Sequence, residues 1–301
     1  MKRIPYLLVI FTLARLQLAF AQSDQVSSFT QPFDGNGSVA ISADGTIYVN
    51  EYGRAGAAIQ GTGTRIYKVT PSGEVSIWRD DVKGAVGNTI DSQGNYYFNN
   101  KNNAKSSILS CINSKGEHIE IAELEGFSGD LLLSHDEQSL YVPSYTHPRI
   151  MQVGIDGASS IFLEDERLKG VTGITYGAEG HILVSNFSTG AIYAIDSQKR
   201  IREIAVIPTV YPNYVIGYIT YHDGLIYATG YGSNKIYSVT LEGTVHELAG
   251  TGRLEVVNGT YQEAAFMTPN GIEVDVINKR LIISQNGNGK KASLRTIALE
   301  Q

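Results

Sequence analysis

The apolar residues of this chain come in short runs that recur in a fixed order. A glycine opens a short strand, a tight turn follows, and an aliphatic-aromatic strand comes next. The opening glycines are Gly37, Gly87, Gly129, Gly173, Gly217 and Gly271, at intervals of 50, 42, 44, 44 and 54 residues. The second strands align as Ile47-Tyr48-Val49, Tyr96-Tyr97-Phe98, Leu140-Tyr141-Val142, Ile182-Leu183-Val184, Ile226-Tyr227-Ala228 and Leu281-Ile282-Ile283. Between first and second strand stand pairs such as Asp44-Gly45, Gln93-Gly94, Glu179-Gly180 and Asp223-Gly224, which tolerate the positive φ of tight hairpins. Third strands are predicted over 65–69, 107–112, 149–153, 191–195, 235–239 and 294–298. Fourth strands are predicted over 75–78, 119–122, 160–163, 201–206 and 245–249. Each repeat therefore reads as one four-stranded antiparallel sheet, and a period of this length marks a repeat architecture.

The sixth repeat has no fourth strand of its own, while a spare strand-like segment, 26–29, precedes the first. Pairing the two closes a ring and leaves no open end, which protects the sheet edges. The predicted fold is all-β, a six-bladed β-propeller of four-stranded blades closed by an N-terminal strand, filling residues 22–301. A solenoid would need capping units at both ends, and none is visible. A doubly wound fold would need helices between strands, and the spacing leaves hardly any room for them.

The N-terminus has the features of an export signal. Lys2 and Arg3 are followed by apolar residues 7–13, and Ala19-Phe20-Ala21 offers a small-residue cleavage site ahead of Gln22. Residues 1–21 are thus expected to be a signal peptide and the mature protein to be secreted, extracellular or periplasmic. Arg15 interrupts the run, which is also too short for a membrane anchor. No later segment approaches the length of a spanning helix. The single cysteine, Cys111, sits in a strand pattern and reads as a buried thiol, since one cysteine makes neither an intrachain disulfide nor a thiolate zinc cage. With 30 acidic against 24 basic residues and no basic stripe, the footprint of a nucleic-acid binder is missing.

Two stretches resemble a known repeat. Leu248-Ala-Gly-Thr-Gly-Arg, Val257-Asn-Gly and Glu263-Ala-Ala-Phe-Met-Thr-Pro-Asn-Gly-Ile-Glu-Val-Asp275 are similar to the NHL repeat, and 37–49 looks like a further copy. NHL repeats merge in sequence with the senescence-marker-protein/gluconolactonase family, also six-bladed. The resemblance implies a propeller, and for the lactonases one divalent cation, usually calcium, in the channel. Its ligands there are a Glu where the first blade starts, Asn residues at later blade starts, and an Asp. This chain departs from that set: Asn36 replaces the Glu, and Ser128, Thr172 and Ile216 stand at the third to fifth starts. Among the later blade starts only Asn270 keeps the Asn-Gly form. A rebuilt site would draw on Asn88, Asp130, Asn270 and Glu51.

Strands alternate in direction, so the starts of the first strands and the ends of the second strands share one face around the channel. That face is rich in amides and poor in charge. Asn and Gln both donate and accept, which suits a polar uncharged ligand such as a sugar or lactone. The candidate ligand-binding residues are Asn50, Glu51, Asn88, Asn99, Asp130, Tyr145, Asn186 and Asn270. The same asparagines have a second reading, as residues that satisfy backbone groups in turns. Asp130 and His147 are the candidate catalytic groups, His147 being the one histidine of six on this face. The expected function is binding of a polar small molecule or of a protein or glycan partner. The alternative is metal-dependent hydrolysis of a lactone or ester. Sequons occur at Asn36, Asn186 and Asn258.

Overall fold

The computed structural model describes residues 25–299; the expected leader, 1–21, and Gln22 lie outside the described residues. Six antiparallel sheets are formed, one per sequence repeat. Blade 1 runs through Val39–Ile41, Ile47–Asn50, Ile66–Val69 and Val75–Arg79 in simple meander order. Blades 2 to 5 repeat that order. The first strands of successive blades touch in turn, from blade 1 round to blade 6 and back to blade 1, so the ring is closed.

The opening glycines form a collar around the channel. Neighbouring blades approach so closely there that a methyl on Gly271 would lie 2.5 Å from Gly37 O, and one on Gly217 2.6 Å from Asn270 O. Gly87 would collide with Gly129 O and Gly129 with Thr172 O. Any side chain at these positions would force the blades apart, which is why the repeat is marked by glycine.

Blade 6 is a composite. Pro269–Asp275, Arg280–Gln285 and Arg295–Ala298 come from the C-terminal end, and Gln25–Ser28 adds the fourth strand with Val26 opposite Ile297 and Ser28 opposite Arg295. The expected closure is present. A fifth strand was not expected: Gly259–Thr260, from the connection between blades 5 and 6, pairs outside the N-terminal strand. Arg295 holds these pieces together. It is fully buried and donates to Ser27 O (3.3 Å), Ala265 O (2.7 Å) and Val257 O (2.8 Å). Burial without a carboxylate partner lowers its pKa to about 10.

The core lies between blades. Ile150, Leu168, Val171, Val184 and Ile195 fill the seam of blades 3 and 4; Tyr48, Trp78, Tyr96 and Phe98 fill that of blades 1 and 2. Each such aliphatic side chain contributes about 1.5–3 kcal/mol by leaving water. Cys111 belongs to this packing: it is free and buried, and burial pushes its thiol up to about 11.

Candidate functional site

Three consecutive positions at the end of each second strand have three different jobs. The first is an inter-blade latch. Asn50 Nδ2 donates to Gly87 O (3.0 Å), Asn99 Nδ2 to Gly129 O (2.5 Å), Ser185 Oγ to Gly217 O (3.2 Å), Thr229 Oγ1 to Asn270 O (2.6 Å) and Ser284 Oγ to Gly37 O (2.6 Å). Each reaches the first strand of the next blade. Pro143 takes the position in blade 3, and there the backbone spans the seam through Asp130 N to Thr172 O at 2.6 Å.

The second position braces loops. Asn186 Oδ1 accepts from Ser188 N and Thr189 N while its Nδ2 donates to Lys169 O. At the latch position itself, Asn99 Oδ1 accepts from Val86 N and Gly87 N, and Asn50 Oδ1 from the Tyr96 hydroxyl. The amides of Asn50, Asn99 and Asn186, expected to face a ligand, are therefore occupied by the protein itself. Buried groups whose partners are all in place have little left to offer a ligand. The Asn36 and Asn186 sequons are buried too; Asn258 is the exposed one.

The third position makes a wall. It holds Tyr52, Tyr145, Phe187 and Tyr231 in blades 1, 3, 4 and 5. Phe127, from the link between blades 2 and 3, fills the gap in the row. Tyr52, Phe127, Tyr145 and Phe187 stand edge to face at centroid distances of 6.0, 6.0 and 6.2 Å, and Phe187 meets Tyr231 at 5.1 Å. Tyr214, on the connection into blade 5, meets both of these last rings. The arc encloses a well of about 190 Å³ over the channel mouth. Its sixth side is polar, made of Asn270 and Asn286.

Two buried residues of the lining carry hydroxyls without partners. Thr172, 8% exposed, has an Oγ1 with no hydrogen-bond partner. Tyr218, 3% exposed, has none for its hydroxyl among the described residues, and burial drives its pKa well above the ordinary tyrosine range. Asn270 Nδ2 donates to Asn36 O at 2.7 Å, which fixes the amide and leaves Oδ1 without a donor. The lining from the described residues includes no carboxylate, imidazole, ammonium or guanidinium. Burial also raises Tyr52 and Tyr231 to about 12, so every tyrosine of the wall for which a shift is resolved stays neutral at physiological pH.

The other sequence candidates fall elsewhere. Glu51 lies in a rim groove with Asp34, Arg54 and Lys290, and burial raises its pKa. Asn88 and Asp130 line a separate cavity deeper in the channel. Burial raises Asp130 to about 7, against hydrogen bonds from Ser38, Leu131 N and Asn88 N that oppose the shift. His147 stands outside the well, its Nε2 3.6 Å from Glu125 Oε1 and its Nδ1 3.1 Å from Thr146 Oγ1. Asp130 and His147 are thus not brought together, and Glu51, Asp130 and Asn270 occupy three different cavities. Of the expected residues, Tyr145 and Asn270 line the well.

The lactonase calcium set does not fit this chain. Asn36 Oδ1 accepts from Tyr52 N and Gly53 N, Ser128 Oγ is tied to Ser107 Oγ, and Ile216 is a buried hydrocarbon. No family model and no curated protein matches the sequence. Solved structures do. They include an auxiliary nutrient binding protein from Bacteroides ovatus (15% identity, TM-score 0.71, 93% of this chain and 77% of that one). They also include a gluconolactonase from Xanthomonas campestris (13%, 0.66, 94% and 92%) and virginiamycin B lyase from Staphylococcus aureus (17%, 0.62, 92% and 99%). What they share with this chain is the propeller fold. At such identities the likeness carries no activity across, because one fold hosts many functions.

The wall residues Tyr52, Phe187 and Tyr231 were not singled out as ligand groups in the sequence, although a signal was present. An aromatic stands two residues past the latch in four of the six repeats. Phe127, Thr172 and Tyr218 have no such periodic mark.

Proposed function

We propose that this chain is an exported binding propeller whose aromatic well takes a neutral, sugar-like ring. The observation that carries the reading is the two-sided character of the well. Rings from blades 1, 3, 4 and 5, with Phe127 and Tyr214 from the connections, face a polar sector of two amides, and the lining also carries the unpartnered hydroxyls of Thr172 and Tyr218. A pyranose has the matching division, an apolar C–H face and a rim of hydroxyls that donate and accept. A charged ligand would lose its hydration with no counter-charge to replace it. Capture is also the role in the printed name of the nutrient binding neighbour, a likeness that by itself shows the fold alone. Lactone hydrolysis, the activity in the printed name of another neighbour, needs a base or a polarising group at the bound ring, and the described lining offers none.

Calorimetry against a panel of neutral mono- and disaccharides, with lactones alongside, tests this. One-site binding of a neutral sugar that changes little from low to high salt is expected. Failure of every neutral ligand, or affinity that collapses in salt, would refute it. Lactone turnover would replace it with the hydrolase reading.

A further inference from the structure

The connection from blade 4 into blade 5 passes over the rim of the well. Its residues 208–214, Pro-Thr-Val-Tyr-Pro-Asn-Tyr, are all exposed. Val210, Tyr211 and Tyr214 are 55%, 61% and 56% exposed. The segment is nevertheless held in place. Pro212 and Asn213, the latter with a φ of 69°, form the centre of a turn of the type II pattern, closed by Tyr214 N donating to Tyr211 O at 3.2 Å. Asn213 N donates to Ser188 O (3.2 Å) and Val215 N to Phe187 O (2.9 Å), which ties the turn to the loop that carries Phe187. On its other side lies Gly232, next to Tyr231. A Cβ there would strike Tyr214 O and stand 3.4 Å from the Tyr211 ring. The turn is thus seated against the loops of two wall residues. Tyr214 itself lines the well, while Tyr211 stands beside it outside the lining.

Two tyrosines on a rigid turn offer flat, largely apolar surface at little ordering cost. The well's volume of about 190 Å³ falls short of the roughly 300–1,000 Å³ of pockets that enclose a larger ligand whole, so a ligand of several rings has to continue over the rim. Tyr214 belongs to both surfaces and makes them continuous. No Asp, Glu, Lys or Arg occurs from 204 to 221, so the turn adds no charge to an uncharged well. We infer that the protein takes a neutral oligosaccharide, with one ring in the well and the next stacked on the Tyr211–Tyr214 turn. The inference rests on the reading of the well as a sugar site and adds to it the length of the ligand and the residue that reads that length. A second copy of this chain fits the turn less well. Stable protein interfaces engage about 20–30 residues a side, and the exposed apolar part of this turn is Val210, Tyr211 and Tyr214.

The test is calorimetric titration with glucose, maltose, maltotriose, cellobiose and cellotriose, and with mannose and galactose beside their own disaccharides. In at least one series the two-ring ligand should bind about tenfold tighter than the single ring, or more. The measure is that ratio, taken within each protein. Tyr211→Ala should bring it close to one, and Tyr211→Phe, which keeps the ring, should preserve it. Tyr211 is exposed, so both variants should melt as the wild type does. A single ring bound as tightly as every longer ligand, or a folded Tyr211→Ala that keeps the full gain, would overturn this inference and leave the well reading standing. Failure of ligands of every length would refute the well reading and this inference with it. Gel filtration completes the test: a dimer that Tyr211→Ala disperses would assign the turn to a second copy and overturn the inference, and a monomer is expected.

Discussion

The latch positions make a prediction that can be worked through from the coordinates. Ser284 is fully buried at the seam that closes the ring; its Oγ donates to Gly37 O at 2.6 Å and accepts from Gly271 N at 2.9 Å. Ser284→Ala strands one buried carbonyl and one buried N–H. Each costs about 1–3 kcal/mol when left without a partner, so about 2–4 kcal/mol is expected for the pair after partial relaxation. In a chain of this size about 2 °C of melting temperature is lost per kcal/mol, which gives a fall of about 4–8 °C. Blade 5 supplies the control. Thr229 makes two bonds of the same kind one residue away from the opening glycines, accepting from Tyr218 N at 3.0 Å and donating to Asn270 O at 2.6 Å. Ser284→Thr should therefore melt close to the wild type, while Ser284→Val, which carries the same volume without the hydroxyl, should fall with the alanine variant. Thermal melts by circular dichroism decide the matter. If Ser284→Ala melts unchanged, or if Thr and Val are equally harmful, the latch account of these positions is wrong.

Two further predictions concern closure and charge. A chain starting at Asp34 lacks the fourth strand of blade 6, bares the Arg295–Ala298 edge and takes Ser27 O from the buried Arg295. It should melt well below Ser284→Ala and self-associate on gel filtration; a monomer with the wild-type melting temperature would contradict the closure. Burial holds Asp130 up at about 7 against an ordinary 3.8, so between those values the folded protein keeps a proton that the unfolded chain has lost. Stability should fall as pH rises from about 4 to about 7 and be level beyond, by up to about 4 kcal/mol, and Asp130→Asn should flatten that slope. Parallel pH profiles for the two proteins would show that Asp130 is not the group responsible.

The parts of the fold that were legible in the sequence are those fixed by short-range constraints. The collar needs glycine at one point in every blade, so it writes a period into the chain. The missing fourth strand of the last repeat and the spare strand at the start could be matched by counting. The two-residue strand Gly259–Thr260 was not legible, because its partner Gln25 lies far off in sequence. The site was harder for a specific reason. An asparagine after a strand reads as ligand-facing or backbone-satisfying, and for Asn99 the deciding group is Gly129 O, 30 residues away in the next blade. The aromatic wall was half legible, through its recurrence after the latch, and half not, because Phe127 reaches the arc from outside the repeat register.

The central claim, that the aromatic arc is the binding surface, is tested most directly at Phe187. This ring meets Tyr145, Tyr214 and Tyr231, at 6.2, 5.8 and 5.1 Å, and is the hub of the arc. It is only part-buried, so its removal should disturb the blade core little. Calorimetric titration of Phe187→Ala with the sugar bound by the wild type should show affinity weaker by about tenfold, the equivalent of about 1.4 kcal/mol of lost stacking, at an almost unchanged melting temperature. A folded Phe187→Ala protein that binds this sugar with wild-type affinity would contradict the account.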